Sequence, residues 1–225
     1  MKKFVCFFLL TLSTFVFGQN FGTKEGGFQQ FESGGSGMWV KGSTIDNTIE
    51  GSSYLFEEWD GVFKIFTDEM KYYPTHNLNY NIRSKVLESK ISKDSVFQYD
   101  LKTISFIKRG EEKYVFYTIQ EKKELCLELY SSNKIVFIKD FKLFLINGTL
   151  NPLTQEKPKS RYEKKQVYFF KVINNEFHEI YLKKKSILKL FGDKSKLVDK
   201  YASDSNLKFS SEKDLCEIFK YYDSL

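Results

Sequence analysis

The sequence predicts a mainly β chain, an antiparallel meander built into a sandwich or a layered sheet, with a short α-helical region at its carboxyl end. Three observations predict it. Between Leu101 and Ile146 apolar residues recur at every second position, and the links between those runs are very short. Near Ser211 the apolar period changes to that of a helix.

In the centre of the chain, Leu125, Leu127 and Leu129 alternate with Cys126, Glu128 and Tyr130, so one face of a pleated strand carries the leucines. Tyr114 to Gln120 is rich in β-branched and aromatic residues, and Leu101 to Lys108 places Ile104 and Phe106 on one face. Arg109-Gly110, Glu121-Lys122-Lys123 and Ser131-Ser132-Asn133 supply turn chemistry, and links this short join antiparallel neighbours into a four-strand meander. The fourth run is the most apolar. Ile135, Phe137, Phe141, Leu143 and Leu145 share one parity and Val136, Ile138 and Phe144 the other, so both faces are expected to be covered. Its length predicts a bulge near Lys139-Asp140.

At the amino end, Lys2 and Lys3 precede an apolar run from Phe4 to Phe17 that ends in the small residue Gly18. Charged, apolar and small regions in that order predict a signal peptide over 1–18, too short to span a bilayer, which takes roughly 20 apolar residues. The mature chain is then expected to be exported, to the periplasm or outer membrane or further to the cell surface or medium, with no transmembrane segment.

A glycine-rich arm is expected over 19–37, with Phe21, Phe28 and Phe31 as candidate anchors for a partner. Val40 stands where Gly35-Ser36-Gly37 would need a third glycine, which excludes a phosphate-binding loop. The β domain is expected over 38–150: a strand from Met38 to Ile45, a segment over Gly51 to Trp59, a strand from Gly61 to Phe66, and alternation through Leu78 to Ile82. Asn147-Gly148 is a turn signal, and 151–161, with Pro152 and Pro158, reads as a linker or long loop.

Residues 162–225 are expected to form a hairpin, Val167 to Ile173 and Phe177 to Leu182, followed by helices packed on the β domain. Leu188 with Phe191 and Leu197 with Tyr201 predict two short helices broken at Gly192-Asp193. Ser211 and Asp214 have the spacing of a capping box, in which each side chain takes the other's backbone donor. Leu215, Ile218, Phe219 and Tyr222 make the stripe of an amphipathic helix, which either packs on the sheet or awaits a partner.

The formal charge of +6 is unevenly spread: net −1 over 19–155, +7 over 156–200 and −2 over 201–225. The basic character gathers around Lys183, Lys184 and Lys185. Such a patch is either a solvated lysine face or a surface for an acidic partner or the anionic envelope. Export argues against a nucleic-acid target.

Chemistry is sparse. His76 and His178 are the only histidines and fit no metal motif, and no Gly-x-Ser-x-Gly elbow occurs. Glu57, Glu58, Asp60, Asp68 and Glu69 surround Trp59 without calcium-loop spacing. No catalytic, cofactor-binding or metal-ligating residue is therefore expected, and no cofactor. Once Cys6 is removed with the leader, Cys126 and Cys216 are expected either to pair and tie the tail to the sheet or to stay as two buried thiols.

Gly51-Ser52-Ser53-Tyr54-Leu55 with the following Trp59, then Leu78-Asn79-Tyr80-Asn81-Ile82, resembles a pattern in exported β-rich proteins of bacterial cell envelopes, and Leu188 to Lys194 and Tyr221-Tyr222 extend the likeness. The resemblance implies export and an all-β or β-plus-helix fold, and it implies no catalytic residue.

Together these readings lead to the expectation of a non-catalytic envelope protein that binds another protein through the arm or the lysine-rich tail, as an accessory subunit of an outer-membrane assembly. A small-ligand or glycan binder stacking on Trp39, Trp59, Tyr72 and Tyr73 is the alternative. A hydrolase whose carboxylates or tyrosines converge from distant strands is the third.

Overall fold

The computed structural model describes residues 37–41, 48–69, 71–92, 95–150, 152–172 and 175–225. The expected leader and the arm aromatics Phe21, Phe28 and Phe31 lie outside the described residues. Strands β1 (Gly37–Lys41), β2 (Ile49–Glu50), β3 (Phe63–Thr67), β4 (Tyr72–Thr75), β5 (Leu78–Asn81), β6 (Val86–Ser92) and β7 (Ser95–Tyr99) come first. The meander follows as β8 (Ile104–Arg109), β9 (Glu112–Ile119), β10 (Lys122–Ser131) and β11 (Ile135–Ile146), then β12 (Ser160–Val172) and β13 (His178–Ile180). Helices α1 (Lys184–Lys189), α2 (Ser195–Asp204) and α3 (Glu212–Ser224) close the chain, with a 3-10 turn at Gly192–Lys194 between the first two. The fold is mainly β with a short carboxyl-terminal helical region.

Two sheets result. The smaller has the order β1-β7-β6-β5, and the larger runs β13-β12-β11-β10-β9-β8-β3-β4, with β2 added in parallel beside β12. Leu78, Tyr80, Leu87, Phe97 and Tyr99 of the small sheet pack on Phe63, Ile65, Ile107, Tyr114, Leu125 and Leu127 of the large one. Farther along the large sheet, Phe137 and Phe170 meet the helices. Leu127 lies opposite Lys139 and Phe137 shares that residue's parity, so the small sheet and the helical lobe cover the same face side by side. The other face carries a smaller apolar group of Ile119, Cys126, Val136, Ile138 and Phe169.

The bulge lies on the partner strand. Register shifts between Glu128 and Tyr130 of β10, not at Lys139-Asp140 of β11. What Lys139-Asp140 marks is a fork: β10–β11 pairing ends at Leu127 opposite Lys139, after which, among the described residues, 122–126 pair only with β9 and 140–146 only with β12. Of the expected loop over 151–161, residues 152–159 lie in the connection of a long hairpin and Ser160 and Arg161 already belong to β12, because β11 and β12 pair over twelve residues from Ile135–Val172 to Ile146–Arg161. Gly148 is required at its base, where a Cβ would come within 1.8 Å of the Pro158 carbonyl oxygen.

The stripe on α3 is spent on the sheet. Leu215, Ile218 and Phe219 are fully buried, and the Phe219 ring lies 5.0 Å from Phe137, 5.2 Å from Phe170 and 5.8 Å from Phe191. At the start of this helix the Ser211 hydroxyl accepts the Asp214 N–H at 3.3 Å. The reciprocal half of the capping box is not made: the Asp214 carboxylate accepts the Lys208 N–H at 2.9 Å and so holds the α2–α3 loop instead. Among the described residues, no helix is long and apolar enough to cross a membrane.

Candidate functional site

The lysines gathered by sequence are all exposed, at the entrance to α1. Ile187 explains their orientation. Fully buried among Phe191, Val198 and Phe219, it turns the opposite surface of this short helix to water. Lys184 is partly neutralised, with its ammonium 2.6 Å from the Asp199 carboxylate and 5.9 Å from the centre of the Phe209 ring. Lys183, Lys185 and Lys189 are arranged differently. An open groove of about 560 Å³ is lined by Lys184, Lys185, Leu188, Lys189, Gly192 and Ser195, and an adjoining one of about 340 Å³ by Tyr181, Lys183, Lys185, Ser186 and Lys189. Among the described residues no carboxylate lines either groove, although Lys183 also borders a neighbouring groove that carries Asp199. Leu188 supplies an apolar floor, so the surface suits a chain bearing both negative charge and apolar side chains. Lys189 and Tyr181 were not singled out from sequence. Lys189 falls one helical turn after Lys185, which is a legible signal once α1 is assigned.

A second cluster of charge fills the fork, and sequence reasoning missed it. Glu124 and Asp140 are 3 % and 1 % exposed, on a face otherwise held by Cys126 and Ile138. Burial of two carboxylates is tolerable only with partners. Lys142 places its ammonium 2.7 Å from Asp140 and 3.7 Å from Glu124, while Lys85 reaches Glu124 from the β5–β6 turn. Asp140 also accepts the Phe141 N–H at 2.7 Å. Burial pulls the Lys142 ammonium down, but Asp140 and Glu124 outweigh it and leave the group raised. Burial, then the same two carboxylates, push the Cys126 thiol far up. Each carboxylate here has a lysine, and the cluster reads as a structural plug.

The aromatic candidates do not converge. Trp39, 52 % exposed on edge strand β1, meets Phe97 edge-on at 5.5 Å. Trp59 sits on the outward side of the small sheet, 4.6 Å from Tyr54 and with the Lys90 ammonium 5.9 Å from its ring. Tyr72 belongs to a cross-strand ladder in which Phe66 lies 5.6 Å from Tyr72 and 4.3 Å from Phe106, and lysines 64 and 113 cap the two ends. These ring faces engage one another and ammonium groups. Tyr73 faces the other way and packs into the core. The acids near Trp59 disperse too: Glu57, Glu58 and Asp60 are exposed, Asp68 accepts from Ser105, and Glu69 pairs with Lys71 at 2.7 Å.

Of the two expectations for the cysteines, the structure has separate thiols. Cys126 points into the apolar group away from the helices, whereas Cys216 on α3 donates to the Leu129 carbonyl at 3.3 Å. The sheet itself stands between them. Among the described residues no group of three His, Cys, Asp or Glu side chains is placed to hold a metal ion. No family model, no curated protein and no solved structure matches this chain, so the reading of its surface rests on its own residues.

Proposed function

We propose that this chain is an exported, non-catalytic binding protein of the cell envelope, in the periplasm or at the outer membrane. It docks an acidic segment of a protein partner through the lysine face of its helical lobe. The observation that carries the reading is the convergence of Lys183, Lys185 and Lys189 on two adjoining grooves that, among the described residues, no carboxylate lines. Surface lysines on a solvated face are ordinarily interspersed with acids. Three ammonium groups around an apolar floor steer an acidic segment and then retain it by contact.

The test is crosslinking of the tagged chain in its own host, with the joined lysines mapped by mass spectrometry. Crosslinks to one partner concentrated at Lys183, Lys185 and Lys189, and a loss of about tenfold in that partner's recovery with K183E/K185E/K189E, are expected. Crosslinks scattered over the surface, or recovery unchanged by the triple variant, would remove the reading.

A further inference from the structure

The geometry points to a second interaction surface at the opposite end of the molecule: the distal β11–β12 hairpin enters the surface of an anionic lipid bilayer end-on. The fork makes this possible. Beyond Asp140, β11 has left β10 and pairs only with β12, so the last stretch of the hairpin continues without a β10 neighbour. Four large apolar side chains collect there, Phe144 at 45 %, Leu145 at 47 %, Leu150 at 50 % and Leu153 at 92 % exposure. One exposed apolar side chain is ordinary, but four at one tip form a patch.

Their directions decide what they meet. Phe144 and Leu145 are successive residues of one strand and point to opposite faces, and Leu150 and Leu153 lie in the connection beyond. A flat protein surface contacts one face of a hairpin; immersion of the tip in hydrocarbon covers both. The return strand and its approach supply the charge that a lipid surface requires. Lys157, Lys159, Arg161 and Lys165 are exposed there, against Glu156, Glu163 and Glu50, the last beside Arg161 on β2. Lys165 lies 3.3 Å from Glu163 and 5.1 Å from the centre of the Phe144 ring, so its stem lies beside the apolar patch and its charge at the rim. Tyr162, whose hydroxyl accepts from Arg83 at 2.8 Å, adds an amphipathic ring at the same level. Apolar tip and basic rim together are the elements of interfacial binding to anionic lipid. The ladder is about 40 Å long, and the helices pack at its other end, so the lysine grooves stay clear of the bilayer. The surface is independent of any protein partner.

The test uses the full chain with vesicles of phosphatidylcholine alone and of phosphatidylcholine mixed equally with phosphatidylglycerol. Sedimentation is expected to show binding to the anionic vesicles at least about tenfold tighter than to the neutral ones. L150D/L153D is expected to weaken it by about tenfold or more. K157E/K159E/R161E is expected to lose about fivefold per residue, on anionic vesicles only. Binding by the apolar amino-terminal run adds the same amount to every variant, and it is subtracted as the residual binding of a chain carrying both sets of tip substitutions. Leu153→Trp gives a local reading, in which the emission moves to the blue with anionic vesicles if the tip enters lipid. Equal binding by wild type and both tip variants, no preference for anionic vesicles, or an unmoved Leu153→Trp emission would each overturn the inference. Loss of protein capture by the tip variants without vesicle binding would assign the tip to a protein and overturn it too.

Discussion

Lys142 bridges two carboxylates that have almost no access to water, and its own side chain is about one third exposed. Removing the bridge leaves Asp140 with the Phe141 N–H and no cation, while Glu124 keeps Lys85. Breaking a fully buried pair costs about 3 to 5 kcal/mol, and partial solvation of the lysine brings the expected loss for Lys142→Met nearer 2 kcal/mol. Denaturant unfolding reads it, with Lys165→Met as the control. That exposed pair with Glu163 is expected to be worth less than about 1 kcal/mol. A control that loses as much as Lys142→Met would mean the fork cluster carries no special weight. Because the Lys142 ammonium is raised in the folded chain, its contribution is complete below 10.5 and disappears only as pH rises through the higher folded value. None of this was visible residue by residue. Glu124 and Asp140 look like ordinary outward-facing acids of alternating strands until the fork shows what closes over them.

At the scale of elements, short-range pattern and structure agree wherever one face is apolar and the other is wet. The meander, the break at Gly192-Asp193 and the stripe of α3 all follow that rule. β6 and β7 do not, and they were not picked out of the sequence. Glu88 of β6 is 4 % exposed under the 51–59 segment, accepting from Tyr54 at 2.7 Å and Gln98 at 2.8 Å. A buried acid erases the period of two that reveals a strand. Among the described residues the 51–59 segment makes one isolated bridge, Tyr54 to Asn81, flanked by backbone hydrogen bonds from Leu55 to Tyr80 and from Ile82 to Ser53, as it covers that polar face. The turn between β9 and β10 lies at Gln120-Glu121, earlier than Glu121-Lys122-Lys123, and both residues are left-handed, with φ of 48° and 67°. Side chains there are strained, and Asn-Gly suits two successive positive φ values. Gln120→Asn with Glu121→Gly is therefore expected to stabilise the chain by about 1 kcal/mol, read as a higher unfolding midpoint. A lower midpoint would mean those side chains do more than close a turn.

Over the whole molecule, burial of phenols and thiols sets a response to alkali. Tyr99 is raised to about 12 and Cys216 to about 11, in both cases mainly by burial. Burial raises Tyr80, Tyr114, Tyr117 and Cys126 further, helped by Glu124 at Tyr80, Glu112 at Tyr114, Glu128 at Tyr117 and Asp140 at Cys126. The sign is common to all. The unfolded chain loses these protons near 9.0 for thiols and 10.0 for phenols, while the folded chain keeps them. Stability is complete below that range and falls as pH rises through it. Each group contributes about 1.4 kcal/mol per pH unit, so cooperative unfolding is expected near pH 11. Phenolate absorbance and far-ultraviolet dichroism should then change together. Tyrosines titrating freely around 10.0 while the dichroism stays native would contradict the packing of the core.

Period and turn chemistry by themselves determined the mainly β class, the meander and the helical tail, because each is written in residues close along the chain. The basic segment that carries Lys183, Lys184 and Lys185 was equally plain as composition. Only the tertiary structure decided that a second sheet and the helices share one face, that Cys126 and Cys216 stand on opposite sides of it, and that β10 and β11 part company at Lys139. It also decided which lysines border the same grooves. Those outcomes depend on register, twist and the pairing of side chains far apart in sequence, such as Lys85 with Glu124, and no local period encodes such pairs.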